Sequence, residues 1–247
     1  MKLRGTAVLL AAAVCLALAS QAAAEDLTVF VTVRPTSPDD VARKQEASAR
    51  AASLDREKKA LEDSLKKQFG KKKELWPAEK RAEFEKLAAG ASRASFEATF
   101  GVADPKEVEA SAAGIREKLA DKKGVRAVGS AAEADLQVEV MGRYQAVFLS
   151  ENTCFIGLRI SPGARLDPAR VAKAAIAWKT HRHGMSGAVA TSWHDFTEEA
   201  PFWLVEVNHP AGGFRNLMYG KAEGHATSGL EKFAKESGAA ILACRKS

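Results

Sequence analysis

Cysteine is scarce in this chain, with three in 247 residues. After residue 24 no apolar run approaches the ~20 residues that cross a bilayer, so a chain from Glu25 onward is expected to have no transmembrane segment. The H-E-x-x-H pattern of a zinc hydrolase does not occur. Ser186 sits in Gly-Met-Ser-Gly, not in the G-x-S-x-G elbow that exposes a hydrolase nucleophile. Gly212–Gly213 is not followed by the Gly-Lys-Ser/Thr of a phosphate loop. A basic face with a nucleic-acid reading element is also missing, so no nucleic-acid partner is expected.

The amino terminus has a recognisable plan. Lys2 and Arg4 precede an apolar run from Ala7 to Ala19, and Ala22–Ala23–Ala24 offers small residues just before Glu25. That three-part order is that of a secretory signal peptide, residues 1–24, and it predicts an exported protein, periplasmic or extracellular. Removing the leader takes two residues from the 37 basic ones and none from the 31 acidic ones, leaving an excess of +4 (35 minus 31). Cys15 leaves with the leader. The two that remain, Cys154 and Cys244, are expected to pair in an oxidising compartment. The bridge would close a loop of about 90 residues, worth roughly 3–5 kcal/mol in the chain-entropy model.

Residues 27–33, LTVFVTV, alternate strictly and read as a strand ended by Pro35 and Pro38. Residues 39–69 contain neither Gly nor Pro and are strong helix formers with a sparse apolar stripe: Leu54, Leu61, Leu65, Phe69. Pro77 starts a second helix, with Gly90 as its expected C-cap. Asp104–Pro105 opens a third, to about Asp121, with Ile115 and Leu119 an apolar pair. Strands are expected at 125–128, 135–142 and 154–160, with Asp135, Gln137 and Glu139 facing out. A helix at 168–180 and strands near 188–193 and 202–207 follow. A last helix spans 221–236, and AILAC forms a possible final strand. The fold class is α+β: a mixed sheet packed with helices, as one domain over 25–247 with a helical insertion at about 37–103 after the first strand. Strands 27–33, 125–128, 135–142 and 154–160 are expected in one sheet with helix 105–121 across it.

The segments LTVFVTVRP, IREKLADKKGVRAVGS and AEADLQVEVMGR resemble a pattern in uncharacterised exported bacterial proteins. The layout is similar to the small α/β domain at the amino end of the TolB protein and in curli-secretion lipoproteins. The resemblance covers residues 27–33 and about 105–145, and implies an envelope-associated domain without a catalytic residue. It is interrupted here by some seventy inserted helical residues.

Two groups of side chains are candidates for chemistry. His181, His183 and His194, with Met185 nearby, are residue types that hold copper or zinc. On a strand His181 and His183 would point the same way and could share an ion, whereas on a helix they diverge and cannot face one ion together. Placed at the end of helix 168–180, they would instead complement its carboxyl-terminal dipole. Trp178, Trp193 and Trp203, if exposed, could stack on a sugar or other ligand, and His209 and Arg215 could line the same pocket. If buried, the tryptophans are core. The leading expectation is a non-enzymatic binding or interaction protein of the bacterial envelope, needing no cofactor, with a protein or envelope partner. The second is a small-ligand or metal-binding protein using residues 178–209, and the third a hydrolase.

Overall fold

The computed structural model describes residues 25–246 except 36, 101–103, 149–150, 184–187 and 212–214; the side chains of 147, 148, 151, 152, 183, 211 and 215–218 also lie outside the description. The signal-peptide segment, Met185 and Ser186 fall outside it too.

Seven strands form one mixed sheet: β1 (Leu27–Val33), β2 (Val125–Ala127), β3 (Leu136–Phe148), β4 (Glu151–Pro162), β5 (His181–His183), β6 (Ala188–His194) and β7 (Trp203–Ala211), in the order β2-β1-β3-β4-β7-β6-β5. β1 runs parallel to both β2 and β3, and the other pairs are antiparallel. The expected four-strand sheet is therefore present, extended by the β5–β6–β7 meander.

Five helices accompany it: α1 (Asp40–Phe69), α2 (Ala78–Phe100), α3 (Pro105–Leu119), α4 (Pro168–Lys173) and α5 (Arg215–Leu242). α3 starts where Asp104 accepts a hydrogen bond from the Lys106 amide and Pro105 fills the first turn. It buries Val108, Ala112, Ile115 and Leu119, a 3.6-period stripe. With α5 it covers one face of the sheet, where Val29, Val31, Val138, Val140, Ile156, Leu158 and Val205 form the main core with Leu230 and Phe233.

The opposite face is covered by the carboxyl-terminal end of α2. Phe96 and Phe100 pack there against Met141, Phe155 and Leu204. Two facing glycines, Gly142 on β3 and Gly157 on β4, make the recess that receives Phe100. A Cβ on Gly142 would stand 2.7 Å from the Phe100 carbonyl oxygen, and one on Gly157 would strike the Phe100 ring.

α1 and α2 form an antiparallel hairpin, which is the insertion expected from sequence. Small residues are buried on both helices toward the sheet, Ala47 and Ala51 on α1 and Ala91 and Ala94 on α2, and Leu65, Trp76 and Phe84 cluster at the far end. Gly90 does not cap α2. The helix runs through it to Phe100 because the residues that follow include strong helix formers and no proline, and Gly90 itself faces Leu54 of α1.

One polar group at the sheet's edge ties three chain segments together. Asp135, expected to face out, is fully buried. Its Oδ2 accepts from the Thr28 amide (2.9 Å) and hydroxyl (2.8 Å), and Arg245 donates to both carboxylate oxygens at 2.8 Å. Burial by itself would raise this carboxyl, but the bonds from Arg245 and Thr28 outweigh it and hold it below the ordinary value.

Three further expectations are corrected. The helix at 168–180 stops at Lys173 because Ala175 takes a left-handed conformation (φ 48°), after which the chain turns to seat Trp178 in the core and form β5. AILAC is no strand: Ala239–Leu242 end α5, and only Arg245 bridges Leu166. Cys154 and Cys244 are buried and are not joined in a disulfide. Cys154 lies near the β3–β4 turn, while Cys244 packs where β4 ends, its Sγ 3.2 Å from the Ala240 carbonyl and its own carbonyl bonded to Asp167. The eight residue steps of β4 from Cys154 to Pro162 span about 27 Å, and a disulfide needs Cα atoms within roughly 7 Å.

Replacing Gly157 with Ala is expected to lower stability by roughly 1–3 kcal/mol by overpacking Phe100 and to speed amide exchange across residues 92–100. Unchanged denaturant midpoint and unchanged exchange would show that Phe100 is not seated in the recess.

Candidate functional site

The junction between the helical hairpin and the sheet encloses a cleft of about 570 Å³, within the range of small-molecule sites. On α1, Arg43, Ala47 and Arg50 recur at i, i+4 and i+7 and so share a face. Arg34, at the exit of β1, and Lys44 stand beside them, and Arg159 on β4 faces them. Met141, Leu204 and Phe202 supply an apolar floor. The acids Glu46, Glu97 and Glu139 also reach the cleft, so its lining of five cations and three acids is net positive.

Pairing inside the cleft is incomplete. Arg43 lies 3.4 Å from Asp40, and Arg159 lies 3.8 Å from Glu139. The Arg159 guanidinium sits 4.3 Å over the Phe202 ring, and its Nε is buried without a hydrogen-bond partner among the described residues. No ion pair engages Arg34, Lys44 or Arg50 among the described residues. A planar cation fixed on an aromatic face above an apolar floor is a preorganised donor for an anion.

Deeper on the same sheet face lies a second polar group. Glu206 on β7 stands across from Gly157 and is buried, which pushes its carboxyl up to about 7 despite a bond from Asn208. Tyr144, stacked on Phe155 at 4.5 Å between ring centroids, is pushed up to about 12 by burial and by the Glu206 charge. Perturbed carboxyls of this kind mark candidate functional positions. The alternation of β7 shows that Glu206 shares a face with Leu204, but nothing in the sequence shows that α2 covers that face.

The histidines expected as a metal set do not converge. His181 and His183 are on strand β5, not at a helix end. His181 packs beside Trp178 on the α5 side, ring centroids 5.9 Å apart. His194 packs against Phe202 on the α2 side at 5.5 Å, beyond the β-bulge of β6 that turns it there. Burial and nearby Arg93 lower the His194 pKa. The His183 side chain lies outside the described residues, and among those described no group of three His, Cys, Asp or Glu could hold a metal ion.

Nor do the tryptophans form a stacking platform for a ligand. Trp178 and Trp203 are buried, Trp203 donating to the Ile176 carbonyl at 3.0 Å, and both pack on Phe233. Trp193 is half-buried against Phe96. His209 is buried on the α5 side, its Nδ1 3.0 Å from Nε2 of His225, a contact that sequence spacing did not reveal. Burial and Lys221 lower the His209 pKa. The side chain of Arg215, the first residue of α5, lies outside the described residues. Comparison with protein-family models, with curated proteins and with solved structures finds no match.

The raised Glu206 pKa fixes the sign of a pH effect. Between about pH 4.5 and 7 the folded protein keeps a proton that the unfolded chain has released. Stability from this group therefore falls as pH rises through that window and is lost above it. Glu206→Gln is expected to remove this dependence and to be more stable than the parent at pH 8 by up to about 3 kcal/mol. Parallel stability profiles of the two proteins from pH 5 to 8 would contradict a raised carboxyl.

Proposed function

We propose that this is an exported, non-enzymatic binding protein of the bacterial envelope, and that the hairpin–sheet cleft takes a small anionic ligand with an apolar body. The carrying observation is Arg159 held over Phe202, opposite Arg34, Lys44 and Arg50, above a floor of Met141 and Leu204. Charge alone would suit an inorganic anion, which water also solvates well. The apolar floor adds the hydrophobic contact that favours a carboxylate or phosphate carried on a hydrocarbon or ring.

Binding is favoured over hydroxyl-, thiol- or imidazole-based catalysis because, among the described residues, the cleft lining holds no Ser, Thr, Cys, His or Tyr. Export is supported by the leader-like order of residues 1–24. An envelope setting is supported by the resemblance of the β1, α3 and β3 segments to the TolB-type amino-terminal domain, an analogy of fold pattern alone.

Calorimetric titration with decanoate and with decanol tests the reading. Decanoate is expected to bind at least about tenfold more tightly than decanol, and Arg159→Met to remove most of that difference, since each tenfold corresponds to about 1.4 kcal/mol. Equal affinity for the charged and uncharged ligand, or none for either, would sink the proposal.

A further inference from the structure

The far end of the α1–α2 hairpin carries features that the cleft does not use. α1 is 30 residues long, about 45 Å of helix. Its last residues and the turn that follows, 66–76, hold five lysines and one acid, Glu74. Their excess of four equals the whole formal excess of residues 25–247, 35 basic minus 31 acidic. The rest of that chain is charge-balanced, so its net charge sits at one tip.

Two large apolar side chains are exposed at the same place. Phe69 is 37% and Leu75 64% exposed, and only Val41 joins them as an exposed large hydrophobic among the described residues. Their exposure is not a consequence of a loose turn. Trp76 is buried, its Nε1 donates to the Gly70 carbonyl at 2.9 Å, and its ring meets Phe84 edge-on at 5.4 Å. Gly70 reverses the chain at φ 88°, and Lys73 lies 4.3 Å over the Phe84 ring. The turn is thus built around Trp76, with Phe69 and Leu75 displayed outside it.

Two acids of the adjoining helix turns are already engaged. Glu62 pairs with Lys66 at 2.8 Å, and Glu83 with Lys80 at 2.8 Å. Lys67, Lys71 and Lys72 meet no acid among the described residues. Helix-dipole complementation accounts for lysines in the last turn of α1, but not for Lys71 and Lys72 beyond it or for the exposed Phe and Leu.

We infer that this tip docks on an anionic membrane surface, with Phe69 and Leu75 entering the interfacial layer and Lys67, Lys71 and Lys72 meeting the lipid phosphates. A convex tip with two apolar side chains is far smaller than the roughly 800 Å² per partner that a stable protein interface needs. It matches the combination of apolar anchor and basic cluster that holds peripheral proteins at bilayers. Lysines, whose long stems let the ammonium reach phosphate while the chain lies over hydrocarbon, suit that boundary. None of the described helices is long and apolar enough to cross a membrane, so the contact would be peripheral. The inference is independent of the cleft's ligand.

Vesicle co-sedimentation of the protein purified after expression of the full chain tests it. Binding to vesicles with 30% phosphatidylglycerol is expected at 0.1 M salt, at least about tenfold tighter than to pure phosphatidylcholine, and weakening as salt rises. Phe69→Ser/Leu75→Ser and Lys71→Gln/Lys72→Gln should each cut binding about tenfold with unchanged circular dichroism, and only the lysine variant should flatten the salt dependence. Lys232→Gln/Lys235→Gln, on the exposed side of α5, should bind as the parent does. Absence of binding to anionic vesicles would overturn the inference. So would binding unaffected by Phe69→Ser/Leu75→Ser, the signature of non-specific polyanion attraction that would extend equally to nucleic acid.

Discussion

Asp135 is the constraint on which the sheet depends. It stands at the entry to β3, with no exposed surface, and bonds Thr28 of β1 and Arg245 of the carboxyl terminus. A buried carboxylate costs several kcal/mol unless its oxygens are satisfied. Here Thr28 supplies an amide and a hydroxyl, and Arg245 supplies two guanidinium donors. The parallel β1–β3 pair starts one residue beyond this contact, at Val29 opposite Leu136, so the carboxylate sets the register of that pair. A slip by one residue would exchange the core face for the other face and unseat every valine of β1. The same carboxylate anchors the end of the chain after α5, helping to hold that helix against the main core.

With the sheet so fixed, its two faces have different tasks. The face under α3 and α5 is conventional core, and even the polar His209–His225 contact lies under helix α5. The other face is only partly closed, because α2 reaches it with its last turns alone. Phe96 and Phe100 pack on Met141, Phe155 and Leu204, and beyond them the face opens into the cleft between α1 and the strands, where Met141, Leu204 and Phe202 reach its lining. The cleft follows from that partial closure. Its cations come from elements far apart in sequence: the exit of β1, the first turns of α1, and β4.

Most of the secondary structure was legible because it rests on local signals. The alternation of residues 27–33, the Asp104–Pro105 and Asp167–Pro168 helix starts, and the Gly- and Pro-free run of α1 each act within a few residues. The hairpin is harder to read because many of its buried residues are alanines, Ala47 and Ala51 on α1 and Ala91 and Ala94 on α2, and alanine carries little periodic signal. Asp135 looked like an outward polar residue in an alternating strand. Its burial depends on Arg245, 110 residues away. Compartment and an even count favour pairing of Cys154 and Cys244, but the length of β4 lies between their sites and keeps them apart. The helix expected at 168–180 failed at Ala175, a residue with high helix propensity that tertiary packing of Trp178 drives into a left-handed turn. The cleft itself left no motif, since its members share neither spacing nor segment.

A double-mutant cycle on Asp135→Asn and Arg245→Met, followed by denaturant unfolding at pH 7, is the most direct test. If the buried carboxylate organises the sheet, each single change should cost roughly 3–5 kcal/mol. The double mutant should then cost less than their sum by at least about 1 kcal/mol. Additive losses, or a single-mutant cost within about 0.5 kcal/mol of zero, would mean that the sheet holds its register without Asp135.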